Sequence, residues 1–437
     1  MVNGDLFQTI NELETKKMLN ILRCKPDIEK TILAKEMGIS FQTLVKQLDI
    51  LKEKNILTEN NRAEINSLAF YSCGISIGGA QCKITLVDAS YRVIDSASFE
   101  NIQKKANIFE QDFLKKGSKD KNNVGYRYFD TPNNLQELTN KLNSLIKDVI
   151  TLYDFGQKEG NIPPILSIGI ALTGSVDARK QIVLKSHSIN YMNNITIESI
   201  ISLMNLQELR DRGIPIIIDH NAKALAVCEK FALYHEDNSN KKFQKKQNIA
   251  SLYLGSGVGC GLILNNRLER GSSNLNGELG HIVVPRYSRS INEDLKDSKC
   301  TCGRIGCLEQ YIISDGFGMT RKDFKTISSE AIREKFDKLE AEERERRLNA
   351  LGYYFEWAID LCVKFLNVGL IIFSGKMTCI MDEVLNHITD PSGNNEAGLL
   401  DLSRLISQYG ALAPTIGAGI LSTYLPNESI EWPVLDE

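Results

Sequence analysis

The 437-residue chain lacks the features that would place it in a membrane or in a secreted framework. It has no uninterrupted apolar run of membrane-spanning length, and its first residues do not combine a basic segment with an apolar stretch. It also lacks a strong charge of either sign, since the net charge is −3 at pH 7. Any DNA binding must therefore be confined to one part of the molecule. These absences predict a cytoplasmic protein, and the length predicts two to three domains.

Cysteine, in contrast, is not scarce, and three of the ten cysteines form a cluster. The other seven are scattered singly among apolar neighbours, which is typical of reduced thiols in a core. The cluster is Cys300-Thr-Cys302-Gly-Arg-Ile-Gly-Cys307, and His281 precedes it. Zn²⁺ prefers four tetrahedral nitrogen or sulfur ligands, so these four residues are predicted to hold one structural zinc ion. The alternative is three buried thiols and a surface histidine.

The first seventy residues have the pattern of a helical DNA-binding domain. Residues 6–22 predict one amphipathic helix, and residues 31–48 predict a helix, a turn at Gly38 and a second helix capped by Ser40. Residues 56–64 are predicted to form a short wing. The second helix buries its leucines and leaves a polar group of side chains facing outward, where they would meet DNA. These residues are Ser40, Gln42, Thr43, Lys46 and Gln47.

The charge of this segment leaves a second interpretation open. Residues 1–70 carry ten basic and ten acidic side chains, and DNA affinity depends largely on phosphate neutralisation. A helical docking domain is therefore the alternative, while two copies in a dimer would add their DNA contacts.

From Tyr71 onward the pattern is that of an α/β protein. Residues 70–88 form a predicted strand, a glycine turn and a second strand, and residues 249–265 repeat that arrangement. Glycine allows backbone N–H groups to approach phosphate oxygens closely, so both turns are candidate phosphate-binding elements.

Gly277-Glu278-Leu279-Gly280-His281, followed by Cys-x-Cys-Gly-x-x-Gly-Cys-x-Glu, resembles the signature of the ROK family of sugar kinases, sugar-responsive repressors and uncharacterised relatives. The resemblance implies an α/β fold, a two-lobed actin/Hsp70/sugar-kinase-like (duplicated RNase H-like) domain. It also implies an all-α winged helix-turn-helix domain that precedes this fold over residues 1–70. The implied lobes are residues 71–218, with 420–437 packing back, and residues 219–419, which contain the zinc site.

The same resemblance assigns candidate ligand-binding residues. Asp219 matches the general base of the family's kinases, for which the alternative is a helix N-cap. His281 would place one ring nitrogen on zinc and the other toward the sugar. The implied sugar-binding residues are Asp219, Glu278, His281, Glu309 and Gly174. The implied nucleotide- and phosphate-binding residues are Gly78, Gly79, Gly255, Ser256, Gly257, Gly259, Gly375 and Gly417.

Departures from the family's kinase pattern favour sensing over catalysis. Ser76 and Ala80 stand where the kinases have an aspartate and a threonine, Thr173 replaces a proline, and Ile218 replaces a sugar-binding asparagine. Losing the carboxylate removes a group expected to hold Mg²⁺ or its waters.

We therefore predict a sugar-responsive transcriptional repressor. It would bind a DNA operator and a sugar or sugar phosphate in the interlobe cleft, and form a homodimer or homotetramer, with no membrane partner. The alternative is an ATP-dependent kinase for a hexose or an N-acetylated amino sugar, which would require ATP and Mg²⁺. Nucleotide binding without turnover is a third possibility.

Overall fold

The computed structural model describes residues 3–60, 62–117, 123–159, 162–186, 188–202, 207–235, 241–287, 299–388, 403–426 and 428–434. The chain divides into two compact units, one of Met1–Gln244 with Pro414–Glu437 and one of Lys245–Ala413. The first unit thus includes residues 219–244, which the sequence analysis assigned to the second lobe. Within the described ranges, no helix combines the length and apolarity needed to cross a membrane.

The described part of the N-terminal segment contains four helices: α1 (Asn3–Asn11), α2 (Leu13–Cys24), α3 (Lys30–Met37) and α4 (Phe41–Glu53). The prediction of a single helix over residues 6–22 is wrong, because the backbone at Glu12 is extended and separates α1 from α2. Leu13 is 83% exposed, so the apolar periodicity does not continue through the break. The Asn11 side chain, at the last residue of α1, donates to the Phe7 carbonyl oxygen at 2.9 Å.

The helix-turn-helix formed by α3 and α4 is confirmed. Gly38 has a φ of 71°, a left-handed conformation that glycine adopts without steric cost. Ser40 caps α4, since its hydroxyl oxygen accepts from the Thr43 backbone N–H at 3.1 Å. After α4, an antiparallel bridge joins Leu57 and Ile65, as a wing requires.

Between Tyr71 and Gln244, the described residues of the first unit form nine strands and six α-helices. The strands are β1 (Tyr71–Ile77), β2 (Gln81–Asp88), β3 (Lys115–Lys116), β4 (Tyr126–Asp130), β5 (Ile165–Leu172), β6 (Ser175–Asp177), β7 (Ile182–Lys185), β8 (Ile195–Thr196) and β9 (Ile216–His220). The helices are α5 (Ser96–Ala106), α6 (Leu135–Glu159), α7 (Ile197–Ser202), α8 (Gln207–Asp211), α9 (Asn221–His235) and α10 (Lys241–Gln244). The main sheet has the order β3-β4-β2-β1-β5-β9, and β6, β7 and β8 form a small separate sheet.

In the second unit, the residues that the structure describes form five strands and five α-helices. The strands are β10 (Ile249–Leu254), β11 (Val258–Leu264), β12 (Arg267–Glu269), β13 (Leu370–Ser374) and β14 (Ser403–Ile406). The helices are α11 (Leu308–Tyr311), α12 (Arg321–Thr326), α13 (Ser329–Asp337), α14 (Ala341–Asp360) and α15 (Met381–Leu385). Its sheet has the order β12-β11-β10-β13-β14. A last helix, α16 (Ala413–Leu421), carries the chain back into the first unit.

The two sheets repeat one topology. In the first, β1 pairs antiparallel with β2 and parallel with β5, which is in turn parallel to β9. In the second, β10 pairs antiparallel with β11 and parallel with β13, which is parallel to β14. The strands β4 and β12 each pair antiparallel with the second strand of their sheet's hairpin. This equivalence confirms the predicted duplication and the two-lobed α/β fold.

Candidate sugar, metal and DNA sites

The parallel strands of the first sheet bring the candidate positions Ser76 and Asp219 to the same edge, with Ala171 between them. Ser76 on β1 is in register with Ala171 on β5, and Ala171 is in register with Asp219 on β9. All three lie at or next to the carboxyl ends of their strands, where open α/β sheets bind ligands. Asp219 is 5% exposed, and one of its oxygens accepts from the His220 backbone N–H at 2.7 Å.

Asn221 adds a buried amide to this edge, although it was not among the predicted site residues. Its Nδ2 donates to the Thr173 hydroxyl oxygen at 2.7 Å. Its Oδ1 is buried and accepts no hydrogen bond from any described residue. A buried acceptor without a donor costs about 1–3 kcal/mol, which a ligand hydroxyl would recover. Gly174 follows Thr173 with a φ of 122°, a conformation that other residues rarely adopt.

The first glycine turn is closed by its own neighbours. The Gly78 N–H donates to the Gln81 carbonyl oxygen at 3.0 Å, and the Gly78 carbonyl oxygen accepts from the Thr131 hydroxyl at 2.6 Å. Gly79 and Ala80 complete the turn. Ser76 is 7% exposed, and its hydroxyl shares a 2.7 Å hydrogen bond with that of Thr415. The position that carries a carboxylate in the family's kinases is thus occupied by a neutral hydroxyl.

The second glycine turn lies against a carboxylate. The Gly255 N–H donates to the Gly257 carbonyl oxygen at 3.0 Å, with Ser256 between them. The Glu309 Oε2 accepts from the Val258 N–H at 3.3 Å, and a Cβ added to Gly257 would lie 2.6 Å from that oxygen. Glu309 therefore contacts this turn rather than facing open solvent, and it is only 3% exposed.

Three other glycines were predicted to bind nucleotide or phosphate. Two of them allow close backbone packing, and the third lies within a strand. Gly375 has a φ of 101°, and a Cβ there would lie 2.5 Å from the Leu254 carbonyl oxygen, so it allows close packing of β13 on β10. Gly417 lets α16 approach the Ala224 carbonyl oxygen of α9. Gly259 lies within β11 and is partly exposed.

The four predicted metal ligands come together in the second unit. His281, Cys300, Cys302 and Cys307 each offer an atom, and these atoms all lie within 4.8 Å of one another. The Cys300 Sγ is 3.4 Å from the His281 Nδ1, and the Cys302 Sγ is 3.5 Å from the Cys307 Sγ. A tetrahedral ion with Zn–S distances of about 2.3 Å separates its ligand atoms by roughly 3.5–3.8 Å. The cluster has the donor set and the spacing to hold a metal ion.

The metal cluster adjoins two of the carboxylates predicted to bind sugar. The His281 Nε2 lies 3.9 Å from a Glu278 oxygen, on the opposite side of the ring from Nδ1. The Cys300 thiol donates to the Glu309 Oε1 at 3.1 Å, and Arg321 forms an ion pair with the same oxygen. Arg321 was not predicted, since no motif marks it.

The predicted DNA-binding residues all lie at the start of α4. Two of them make hydrogen bonds within the N-terminal domain, and three are exposed. Ser40 is committed to capping the helix, and Gln47 donates to Glu14 on α2. Gln42, Thr43 and Lys46 are exposed on the outer face of α4.

The N-terminal helix α2 contacts the α/β part of the first unit through hydrogen bonds, an ion pair and aromatic rings. Arg23 on α2 is 4% exposed, its Nε donates to the Ala89 carbonyl oxygen at 3.0 Å, and its guanidinium lies 3.6 Å above the Tyr91 ring. Asn20 accepts from the Tyr424 hydroxyl at 2.7 Å, and Lys16 forms an ion pair with Glu428. We call these residues, with Thr423, Phe231 and Trp432 packed around Tyr91 and Tyr424, the docking cluster. Sequence patterns gave no sign of it.

The fold and these clusters define a class, that of two-lobed sugar-kinase-like α/β proteins with an N-terminal helix-turn-helix. The model of the ROK family matches residues 122–422, and the chain belongs to that family.

Relatives of both branches are similar to parts of the chain. The xylose repressor of Bacillus subtilis is 31% identical over 147 residues, which cover 34% of this chain and 32% of the relative. The N-acetyl-D-glucosamine kinase of Yersinia enterocolitica is 32% identical over 117 residues, which cover 26% of this chain and 36% of the relative. The chain thus spans about a third of the length of these curated relatives.

Solved structures share the fold at low sequence identity. A ROK family transcriptional regulator, a homologue of the Escherichia coli MLC protein, is 18% identical with a TM-score of 0.57, covering 94% of this chain and 97% of its own. A ROK family glucokinase from Streptomyces griseus, in complex with glucose and AMPPNP, is 16% identical with a TM-score of 0.52, covering 80% of this chain and 99% of its own.

Proposed function

We propose that the chain is a sugar-responsive transcriptional repressor that binds an operator through residues 1–70 and a sugar or sugar derivative through its α/β lobes. The observation that carries the proposal is the capped helix α4, which presents Gln42, Thr43 and Lys46 to solvent in a helix-turn-helix. The similarity to xylose repressors supports it. Two copies of the domain, in a homodimer or homotetramer, would read two half-sites.

Each unit offers its own hydroxyl-binding groups for the sugar. In the first unit they are Asp219, Gly174 and Asn221. The buried Oδ1 of Asn221 has no hydrogen-bond donor among the described residues. In the second they are Glu278 and His281, with Glu309 behind them. Carboxylates suit this role because each can accept two hydroxyl hydrogen bonds.

The metal we propose for His281, Cys300, Cys302 and Cys307 is a structural zinc ion. The donor set is three sulfurs and one imidazole nitrogen, which closes a tetrahedral site with no position for substrate. When bound, zinc would cross-link the segment from Cys300 to Cys307 to the helical turn of His281. The His281 Nε2 would then be held toward Glu278.

The test is operator selection followed by a sugar screen. Full-length protein is used to select fragments from random DNA, and its affinity is measured by fluorescence anisotropy with and without each of a panel of pentoses, hexoses, N-acetylated amino sugars and their phosphates. We expect one sugar to weaken binding by roughly five- to 150-fold, the usual range of allosteric coupling. Glu278→Ala should bind DNA but not respond, whereas Glu340→Ala, on an exposed residue, should respond normally.

Two results would overturn the repressor proposal. One is an absence of DNA binding at low salt, where phosphate contacts are strongest. The other is a loss of DNA binding in Glu278→Ala itself, which would show that Glu278 supports the fold and not the response.

An ATP-dependent sugar kinase is the second candidate, and the placement of Asp219 favours it. Asp219 lies buried at the carboxyl end of β9, where a general base would act, and the N-acetyl-D-glucosamine kinases are similar to part of the chain. A coupled assay of ATP consumption with hexoses and N-acetylated amino sugars separates the two candidates. The repressor proposal expects no turnover by the unaltered chain and Mg²⁺-dependent turnover only in Ser76→Asp, while Asp219→Asn should abolish that gain.

A further inference from the structure

The first residue of α4 carries a large apolar side chain that is half exposed. Phe41 is spaced from Leu44, Leu48 and Leu51 as on one apolar face of a helix, which predicts a core position for all four. The three leucines are at most 2% exposed and belong to the hydrophobic core of the N-terminal helices. Phe41 is 49% exposed. The apolar face of α4 therefore extends beyond the core in the first turn of the helix.

Phe41 lies among the residues proposed to meet DNA. Ser40, which precedes it, caps the helix, and Gln42, which follows it, is exposed. In a helix-turn-helix, the N-terminal residues of the second helix contact base edges in the major groove. The exposed ring is therefore at the end of α4 that would enter the groove.

Several polar groups at this end of α4 already have partners within the domain. The hydroxyls of Ser40 and Thr43 share a hydrogen bond at 2.8 Å, and Gln47 donates to Glu14. Residues 1–70 also carry equal numbers of basic and acidic side chains, which limits the affinity that phosphate contacts supply. An apolar contact with a base would add both affinity and sequence preference.

We propose that Phe41 selects thymine in the operator by burying its ring against the 5-methyl group. Thymine is the one base that presents a methyl group in the major groove, and phenylalanine is among the side chains that contact it. The contact removes apolar surface of both groups from water. The inference rests on the proposed operator binding and adds the base that the first turn of α4 selects.

Deoxyuridine in the operator tests the contact, because this nucleotide pairs as thymidine does and lacks only the methyl group. Each thymine of the operator selected by the full chain is replaced in turn. Loss of the contacted methyl should raise the dissociation constant about fourfold in one half-site and about fifteenfold in both, the value of one buried methyl-sized group at each. Equal affinity after every replacement would overturn this inference alone, whereas a chain that selects no operator would overturn the proposed function with it.

Substitution of Phe41 shows whether the preference belongs to its ring. Phe41→Ala should bind the thymine operator more weakly and should bind the deoxyuridine operator with that same reduced affinity, since no ring remains to contact the methyl group. Phe41→Leu, which keeps an apolar side chain, should retain part of the preference. Ile50→Ala is the matched control, because Ile50 is 50% exposed in the second half of the same helix. It should keep the full difference between the two operators.

Circular dichroism and thermal unfolding should show that these three variants remain folded. A contact of Phe41 with the sugar–phosphate backbone would weaken binding in Phe41→Ala without changing the preference for thymine over deoxyuridine. That result would overturn the proposal. A second selection from random DNA gives an independent measurement: Phe41→Ala should no longer favour thymine over cytosine at the contacted position. Selection of an unchanged sequence by Phe41→Ala would contradict it.

Discussion

At the scale of single residues, the first glycine turn carries a side chain that disfavours a bound metal–nucleotide complex. It has the Ser76 hydroxyl, hydrogen-bonded to Thr415, where a metal-binding carboxylate would be needed. The second turn shows no such departure, because Glu309 beside Gly257 matches the family motif and forms an ion pair with Arg321. The change at Ser76 is why we expect the chain to sense a sugar without phosphorylating it.

The metal cluster gives the first residue-scale prediction. Cys302→Ser should lose the bound zinc and lower the midpoint of thermal unfolding, because a closed zinc site contributes directly to folding free energy. Sugar binding should weaken with it, since His281 would lose its orientation. The measurements are metal content by mass spectrometry and calorimetric unfolding. Cys379→Ser, at a partly buried cysteine outside the cluster, should retain one zinc per chain; purified protein without zinc would refute the assignment.

A second residue-scale prediction concerns His220. Burial, with a smaller contribution from Lys223, lowers the pKa of His220 from 6.5 to about 3. Below pH 6.5 the unfolded chain therefore binds a proton that the folded chain does not, so stability is fully present above that pH and falls as the pH drops toward 3. The slope is at most about 1.4 kcal/mol per pH unit for one such group.

His220→Asn tests this dependence. The Nδ1 of His220 accepts from the Ala222 N–H at 3.1 Å, and an asparagine oxygen can accept the same bond without titrating. Between about pH 7 and pH 5, urea unfolding should show the variant losing roughly 1–2 kcal/mol less stability than the unaltered chain. Equal losses in the two proteins would show that His220 is protonated in the folded state.

At the scale of elements, α4 carries the prediction on DNA. Lys46→Ala should weaken operator binding about equally across sequences and reduce the slope of log affinity against log salt by about one, because one phosphate contact is lost. Sugar affinity should not change, since Lys46 lies on the exposed face of α4. Lys322→Ala, on an exposed lysine of α12, is the control and should leave the slope unaltered. An unchanged slope in Lys46→Ala would place the DNA contact elsewhere.

The elements that could be predicted are those whose signals are local. The glycine hairpins, the Ser40 cap and the turn at Gly38 each depend on a few neighbouring residues, and the structure has them as expected. The single helix over residues 6–22 was wrong because the break at Glu12 has no proline or glycine to mark it. The contacts of Arg23 with Tyr91 and of Glu309 with Arg321 were not predictable, because they join distant segments without a motif.

At the scale of the whole molecule, the path of the chain connects the candidate sugar residues with the docking cluster. The helix α9 begins two residues after Asp219, and its Phe231 packs on Tyr91 at a centroid distance of 4.8 Å. The chain leaves the first unit after Gln244 and returns at Pro414, in the first turn of α16, which leads to Tyr424. The helices α9 and α16, which lie on the first-unit side of the two connections, thus contain or lead to residues of the docking cluster.

Arg23 is the residue whose change should separate DNA binding from the sugar response. Its guanidinium stacks on Tyr91, its Nε donates to the Ala89 carbonyl oxygen, and its Nη1 donates to the Asn20 Oδ1 at 3.3 Å. Its Nη2 has no hydrogen-bond partner among the described residues. A desolvated cation–π contact is worth about 2 kcal/mol, which is comparable to the coupling of about 1–3 kcal/mol that a sugar would need to transmit. Loosening this contact should therefore remove most of the coupling.

In Arg23→Met, operator affinity without sugar should persist while the weakening caused by sugar falls below about fivefold. Lys25→Met is the matched control, because Lys25 adjoins the same helix but pairs with Glu36 inside the N-terminal domain at 2.6 Å. Anisotropy titrations of both variants, with and without the sugar identified by the screen, give the comparison. If Arg23→Met responds to sugar as fully as Lys25→Met does, the response reaches α4 by a route that bypasses the docking cluster. A loss of operator binding without sugar would instead show that Arg23 is needed to hold α4 in its DNA-binding position.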